Sequence, residues 1–157
     1  MSEGSSPLKG AKLAQVAIAV QDIDAARKRW AAVLGVDPPN IIETAPGEEV
    51  RMRFRGRSSN SRAKLAFFDL GGVQLELIEP IGGDSTWNEG LEQNGEAVHH
   101  IAFWTDDMAQ TAEALKGHGV SLVQRGDMGE GQYAYFDASP LGCVIELLEH
   151  KRSGEIG

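Results

Sequence analysis

The sequence predicts an α+β protein made of two tandem βαβββ modules. Two observations predict it. Short β-branched apolar runs alternate with stretches of helical periodicity. That order then occurs twice, and the two occurrences superimpose. QVAIAV, starting at Gln15, lies over HIAFWT, starting at His100. Asp22 lies over Asp107, Gly35-Val36 over Gly119-Val120, and Phe68-Asp69 over Phe136-Asp137. QLELIE from Gln74 lies over VIELLE from Val144.

Each element has its own justification. LAQVAIAV (13–20) reads as a buried strand. Asp22 is placed to cap a helix in which Ile23, Ala26, Trp30, Ala31 and Leu34 recur at helical spacing, and Gly35 is placed to end it. Val50 to Arg55 alternates apolar and basic residues, as a strand does. LAFFDL (65–70) and VQLELIE (73–79) form a hairpin across Gly71-Gly72. The segment 81–96 reads as a linker holding one short helix, STWNEGLEQ. VHHIAFWT (98–105) opens the second module. Asp106-Asp107 then caps a helix marked by Met108, Ala112 and Leu115 and ending near Gly119. VSLVQ (120–124), QYAYFD (132–137) and CVIELLE (143–149) complete it. The module bounds are therefore 12–80 and 97–149, with residues 1–11 and the tail 150–157 expected to be loose. The first module is the longer, mainly through RGRSSNSRA (55–63).

Composition bounds the function. The 157 residues carry 15 Lys+Arg against 23 Asp+Glu, a net charge of −8. That balance argues against nucleic acid and anionic membranes as partners. The single cysteine, Cys143, excludes an intrachain disulfide. No apolar run approaches the roughly 20 residues of a membrane span. The first residues lack an apolar signal core, so a cytoplasmic location is expected.

Polar residues on four strands carry the chemical reading. Strand faces alternate. Val16, Ile18 and Val20 share one face of the first strand; Gln15, Ala17 and Ala19 share the other. Ile101 and Phe103 oppose His100, Ala102 and Trp104. Val73, Leu75 and Leu77 oppose Glu76, and Cys143, Ile145 and Leu147 oppose Glu146. Gln15, Glu76, His100 and Glu146 thus lie at repeat-related positions, each on the face away from the helices. Two carboxylates buried together repel unless a cation lies between them. One imidazole, two carboxylates and an amide oxygen suit one divalent metal ion: Mn, Co, Ni or Zn. His99 is the competing ligand candidate, but register with Gln15 favours His100 and points His99 to the opposite face. Removing His100 should therefore lose the metal, and removing His99 should not.

These stretches resemble the vicinal oxygen chelate superfamily, which includes glyoxalases and methylmalonyl-CoA epimerases. The resemblance covers about residues 12–149 and rests on QVAIAVQDIDAARKRWAAVLG, VQLELIEP, EAVHHIAFWTDDM and GCVIELLE. The middle segment, ELIEPIGGDSTWNEGLEQNGEAVHHIAF, is most similar to the epimerases. The resemblance implies a curved mixed sheet around a metal-containing cup, with Gln15, Glu76, His100 and Glu146 as ligands. It implies an epimerase or isomerase that abstracts a proton α to a carbonyl, with a metal-stabilised enolate and Glu76 and Glu146 as catalytic carboxylates. The substrate would be a small acyl-CoA or another carbonyl acid, and a homodimer is implied. The sequence departs from the epimerase pattern at two places. Gln15 stands where those enzymes have His, which with Glu, His and Glu is similar to some glyoxalase I enzymes. Arg51, preceded by Glu48 and Glu49, stands where they carry a separate glutamate base.

If the apolar residues of 50–55 pack on a helix, Arg51, Arg53 and Arg55 line the cup and its rim and can hold a carboxylate or the phosphates of a CoA ester. Trp104, Tyr133 and Tyr135 can wall the pocket. Cys143 is expected in the core, His118 and His150 in solvent. The alternative readings are a lactoylglutathione lyase, an extradiol dioxygenase, which Gln15 disfavours, and a non-enzymatic ligand-binding protein of the same fold.

Overall fold

The computed structural model describes residues 6–154 and Ile156. The expected looseness of the first five residues lies outside these. Ten strands form one mixed, curled sheet in the order β2-β5-β6-β1-β7-β10-β9-β8-β3-β4. At its centre, β1 (Leu13–Ala19) runs antiparallel to β7 (Ala97–Trp104). Outward from this pair, β1 is parallel to β6 (Gln74–Ile81), and β7 is parallel to β10 (Cys143–Glu149). Next come β5 (Arg62–Asp69) beside β6 and β9 (Gly131–Ala138) beside β10, both antiparallel. The two modules meet through their first strands, which brings their repeat-related residues together at mid-sheet.

The outer face is covered one helix per module. In α1 (Ile23–Leu34) the Asp22 carboxylate accepts from Ala25 N, and Gly35 stops the helix at φ 72°. That left-handed conformation favours glycine. Ile23 and Ala31 pack with Val20, Ala66, Phe68, Leu75 and Leu77. In α3 (Met108–Lys116) Asp107 caps Gln110 N, and Met108 and Leu115 pack with Ala134, Phe136, Ile145 and Leu147. The predicted outer faces of these strands are thereby the two outer cores. Among the described residues no helix is long and apolar enough to cross a membrane.

The inner face holds the linker helix α2 (Thr86–Asn94). Ser85 caps it, and the Thr86 amide donates to the buried Gln124 side chain at 2.9 Å. Trp87 joins Ala19, Met52, Ala63, Ile78 and Tyr135 in a third core inside the curl.

The modules differ in their second strand. In the second module it is β8 (Ser121–Met128). In the first, β2 keeps only Ile42–Glu43 on β5. The chain then crosses to the far edge of the sheet, where β3 (Arg53–Phe54) pairs with β8 and with β4 (Arg57–Ser58). The expected strand over 50–55 is therefore two residues long and belongs to the other side of the sheet. Positive φ at Arg51 (49°) and Arg55 (52°) breaks its alternation at both ends. A close approach fixes the crossing: a Cβ at Gly47 would lie 2.1 Å from the Ser59 carbonyl oxygen, so only glycine fits.

The tail is tied down, contrary to expectation, as far as it is described. The Arg152 guanidinium donates to the Gly129 and Gly131 carbonyls, and the Gln132 amide donates to the Gly154 carbonyl at 2.9 Å.

Candidate functional site

Four adjacent strands, β6, β1, β7 and β10, bring Glu76, Gln15, His100 and Glu146 together. All three oxygen-bearing side chains converge on one atom, His100 Nε2. Gln15 Oε1 lies 3.0 Å from it, Glu146 Oε1 3.1 Å and Glu76 Oε1 3.5 Å. Ala17 and Ala102, fully buried, leave the space. The Gln15 amide is oriented from behind, because its Nε2 donates to Gln74 Oε1 at 3.0 Å. The four residues expected on the inner face thus lie together.

Burial sets its electrostatics. His100 is completely buried, which pushes its pKa down to about 3. Burial pushes the Glu146 carboxyl up to about 8, with a hydrogen bond from Tyr135 acting the other way. Glu76 is held well above the ordinary carboxylate range, by burial first and then by the neighbouring charge of Glu146. Two buried acids around a neutral imidazole are stable only with protons or a cation among them. Here the donors touch one another. Among the described residues no group of three or more His, Cys, Asp or Glu stands ready in metal-holding geometry. In chemistry the set does fit a divalent ion. Donors about 2.1 Å from one ion and at right angles lie about 3 Å apart, close to the spacing around Nε2.

Gln15, Glu76 and Glu146 open into a cavity of about 470 Å³. Its walls are largely apolar: Met52, Leu65, Phe67, Ile78, Trp87, Trp104, Tyr133, Tyr135 and Leu148 among them. Trp104 stacks on His150 at 3.8 Å, so His150 is not simply solvated. His118 is exposed as expected, and Cys143 packs half-buried at the second outer core. Among the described residues no lysine or arginine lines this cavity.

Two expectations need correction. Arg51, Arg53 and Arg55 were expected to line the cup and its rim; the apolar members of that segment line the cup instead. Val50 and Met52 face inward, while Arg51 pairs at 2.7 Å with Asp127, itself a residue of the cavity wall, and Arg55 pairs with Glu89 at 2.7 Å away from the cavity. Arg53 is exposed and donates to the Gly56 carbonyl. Glu48 and Glu49 are exposed as well, so that segment brings no carboxylate into the cavity.

His99 was expected on the opposite face; its Nδ1 lies 2.7 Å from His100 Nδ1. The cause is a register shift: Ala17 pairs with His100 but Ile18 with Val98, so His99 is an extra residue on β7. Such a bulge re-aims the side chain. Sequence reasoning also left Trp87 without a role. Its Nε1 donates to the Tyr135 hydroxyl at 3.1 Å. Its position one residue inside a Ser-capped helix was the available signal.

Comparison with known proteins decides the family. Residues 14–136 match the model of the Glyoxalase/Bleomycin resistance protein/Dioxygenase superfamily. The chain belongs to this superfamily. It is 31% identical to the uncharacterised protein YqjC of Bacillus subtilis (strain 168), over 89% of this chain and 93% of that one. It is 26% identical to the ethylmalonyl-CoA/methylmalonyl-CoA epimerase of Cereibacter sphaeroides, over 87% and 96%. A methylmalonyl-CoA epimerase solved with methylmalonyl-CoA and NH4+ superimposes with a TM-score of 0.62 at 28% identity, over 94% of this chain and 99% of that one.

Proposed function

We propose that this member of the superfamily is a metal-dependent epimerase or isomerase, moving a proton α to a carbonyl in a small acyl-CoA or related carbonyl acid. One observation carries the reading: two buried glutamates from repeat-related strands converge on a single imidazole at the floor of an apolar cavity. Similarity to methylmalonyl-CoA epimerases along nearly the whole chain supports the substrate class.

Gln15, Glu76, His100 and Glu146 would hold a divalent ion. When bound, such an ion polarises the substrate carbonyl and stabilises the negative charge that develops as the α C–H bond breaks. The chain's own residues do the rest. Glu146, whose burial raises its proton affinity above that of an ordinary carboxylate, would take the α proton. Glu76, reaching the same centre from the other module, is placed to return a proton to the opposite face. Trp104, Tyr133 and Met52 exclude water and so lengthen the life of the carbanionic species.

The test is exchange of the α proton of methylmalonyl-CoA in D2O, followed by NMR on protein loaded with Co, Mn, Ni or Zn. Exchange with inversion supports the reading; no exchange with any of these metals overturns it.

A second reading, lactoylglutathione lyase, is favoured by the ligand types. Turnover of the methylglyoxal–glutathione hemithioacetal separates the two.

A further inference from the structure

We propose that His99 is a positioning residue: by accepting a hydrogen bond from His100 Nδ1–H, it fixes the His100 tautomer that turns the Nε2 lone pair toward the metal. The inference rests on the metal reading above. It begins from a distance. Two ring nitrogens 2.7 Å apart must share one proton, since two lone pairs or two N–H groups at that separation repel. Both rings are buried, which favours the uncharged imidazole with one proton per ring.

Two arrangements satisfy this. In one, His99 donates to His100 Nδ1, and His100 carries its proton on Nε2, directed at Gln15 and Glu146. In the other, His100 donates from Nδ1, and His99 carries its proton on Nε2. Only the second leaves the His100 Nε2 lone pair free to bind an ion. Passing from the first to the second, one proton leaves His100 Nε2 and the shared proton crosses from His99 to His100. A third joins His99 Nε2. The charge of the pair is unchanged.

The surroundings hold His99 for this part. The bulge on β7 turns its ring toward His100 instead of outward. Gly90 of α2 lies so close that a Cβ there would meet His99 Cδ2 at 3.2 Å. The Tyr135 ring packs edge-on at 5.3 Å and 89°. His99 Nε2 is buried without a close hydrogen-bond partner. A metal-binding histidine whose second nitrogen donates to a fixed acceptor is the general means of orienting such a ligand.

Asparagine can set its Oδ1 where Nδ1 of His99 stands; phenylalanine offers no acceptor. The experiment measures zinc affinity by chelator competition for wild type, His99→Asn and His99→Phe. It also records long-range 15N–1H spectra of the imidazoles in the zinc-loaded wild type. Expected are a loss of about 10–100-fold in zinc affinity for His99→Phe and substantial recovery in His99→Asn. The wild-type spectra should show His100 protonated at Nδ1 and His99 unprotonated at Nδ1. Circular dichroism of the metal-free variants checks that they fold, and the Asn–Phe difference remains decisive if both are less stable. Equal affinity of His99→Phe and wild type overturns the inference and leaves the metal reading standing. So does equal weakening in both variants, or His100 unprotonated at Nδ1. A wild-type protein that takes up none of zinc, cobalt, nickel and manganese overturns both.

Discussion

The two modules supply one site with the same kinds of residue but surround them differently. Glu146 lies across from Tyr135 in the β10–β9 pair; Glu76, at the related place in the β6–β5 pair, lies across from Phe67. One glutamate therefore meets a hydroxyl donor and the other a hydrocarbon ring. Burial raises both, but only Glu146 is partly brought back, to about 8, by a hydrogen bond. The same asymmetry recurs behind the other pair: Gln74 steadies the Gln15 amide, while His99 meets the His100 ring. A duplicated fold thus makes two carboxylates equivalent in position and unequal in surroundings, and the proposed assignment of Glu146 as base and Glu76 as acid rests on that difference.

The largest effect should come from removing the base. Glu146→Gln keeps shape and burial but cannot accept the α proton, and should lower turnover by about 10³-fold or more with the fold intact. Glu76→Gln should cost less, because an amide oxygen can still serve as a ligand and Glu76 is not the proposed base. Equal losses in the two variants would erase the distinction between the modules, and normal turnover of Glu146→Gln would remove the mechanism.

The metal-free protein should display the buried acids as a pH effect on stability. Glu76 and Glu146 bind protons more tightly folded than unfolded. Their contribution is thus complete at low pH and is lost as pH rises above the ordinary 4.5, for Glu146 through about 8. His99 and His100 do the reverse. Their pKa falls from 6.5 to about 3, so their contribution is complete above 6.5 and is lost as pH falls toward 3. The two trends oppose one another between 4.5 and 6.5. Above 6.5 only the acids act. The Tm should therefore fall between pH 6.5 and 8.5, less so in Glu76→Gln, and added zinc should flatten the fall. A metal-free Tm that is level across this range, in wild type and variant alike, would show that the carboxylates are not desolvated.

Tyr135→Phe makes the second module's glutamate resemble the first. Removing a donor that favours the carboxylate raises its pKa. A hydrogen bond worth about 0.5–1.5 kcal/mol corresponds to a rise of up to about one pH unit. The acidic limb of the pH–rate profile should move upward by that amount. An unmoved limb would separate Tyr135 from Glu146.

Much of this site was legible because it depends on alternation. Gln15, Glu76, His100 and Glu146 lie on strands buried on both faces, where the polar residue in each apolar run marks the inner side. His99 was not legible: a bulge inserts one residue into one strand, and nothing in VHHIAFWT shows where the partner strand skips. The strand at 50–55 was misread for a related reason. Its alternation is real in the sequence, but left-handed backbone at Arg51 and Arg55 limits pairing to two residues and turns Met52 inward. The repeat itself concealed the crossing, since it implied that both second strands stay in their own modules.

That displaced segment sets the smallest expected effect. Because Arg53 is exposed outside the cavity, it cannot clamp the reacting acyl group, but it remains available to the phosphates of a CoA ester lying across the rim. An exposed charge contact of this kind contributes up to about 1 kcal/mol, or a few-fold in affinity. Arg53→Ala should therefore raise KM a few-fold for a CoA thioester, with kcat unchanged, and leave KM unchanged for the matching pantetheine thioester, which lacks the nucleotide. The increase should also shrink in high salt, as screening of a solvated pair requires. An equal rise for both thioesters would mean that Arg53 reaches the acyl end. The basic face of 50–55 would then turn into the cup during turnover, and the contrast between the modules' second strands would have to be redrawn.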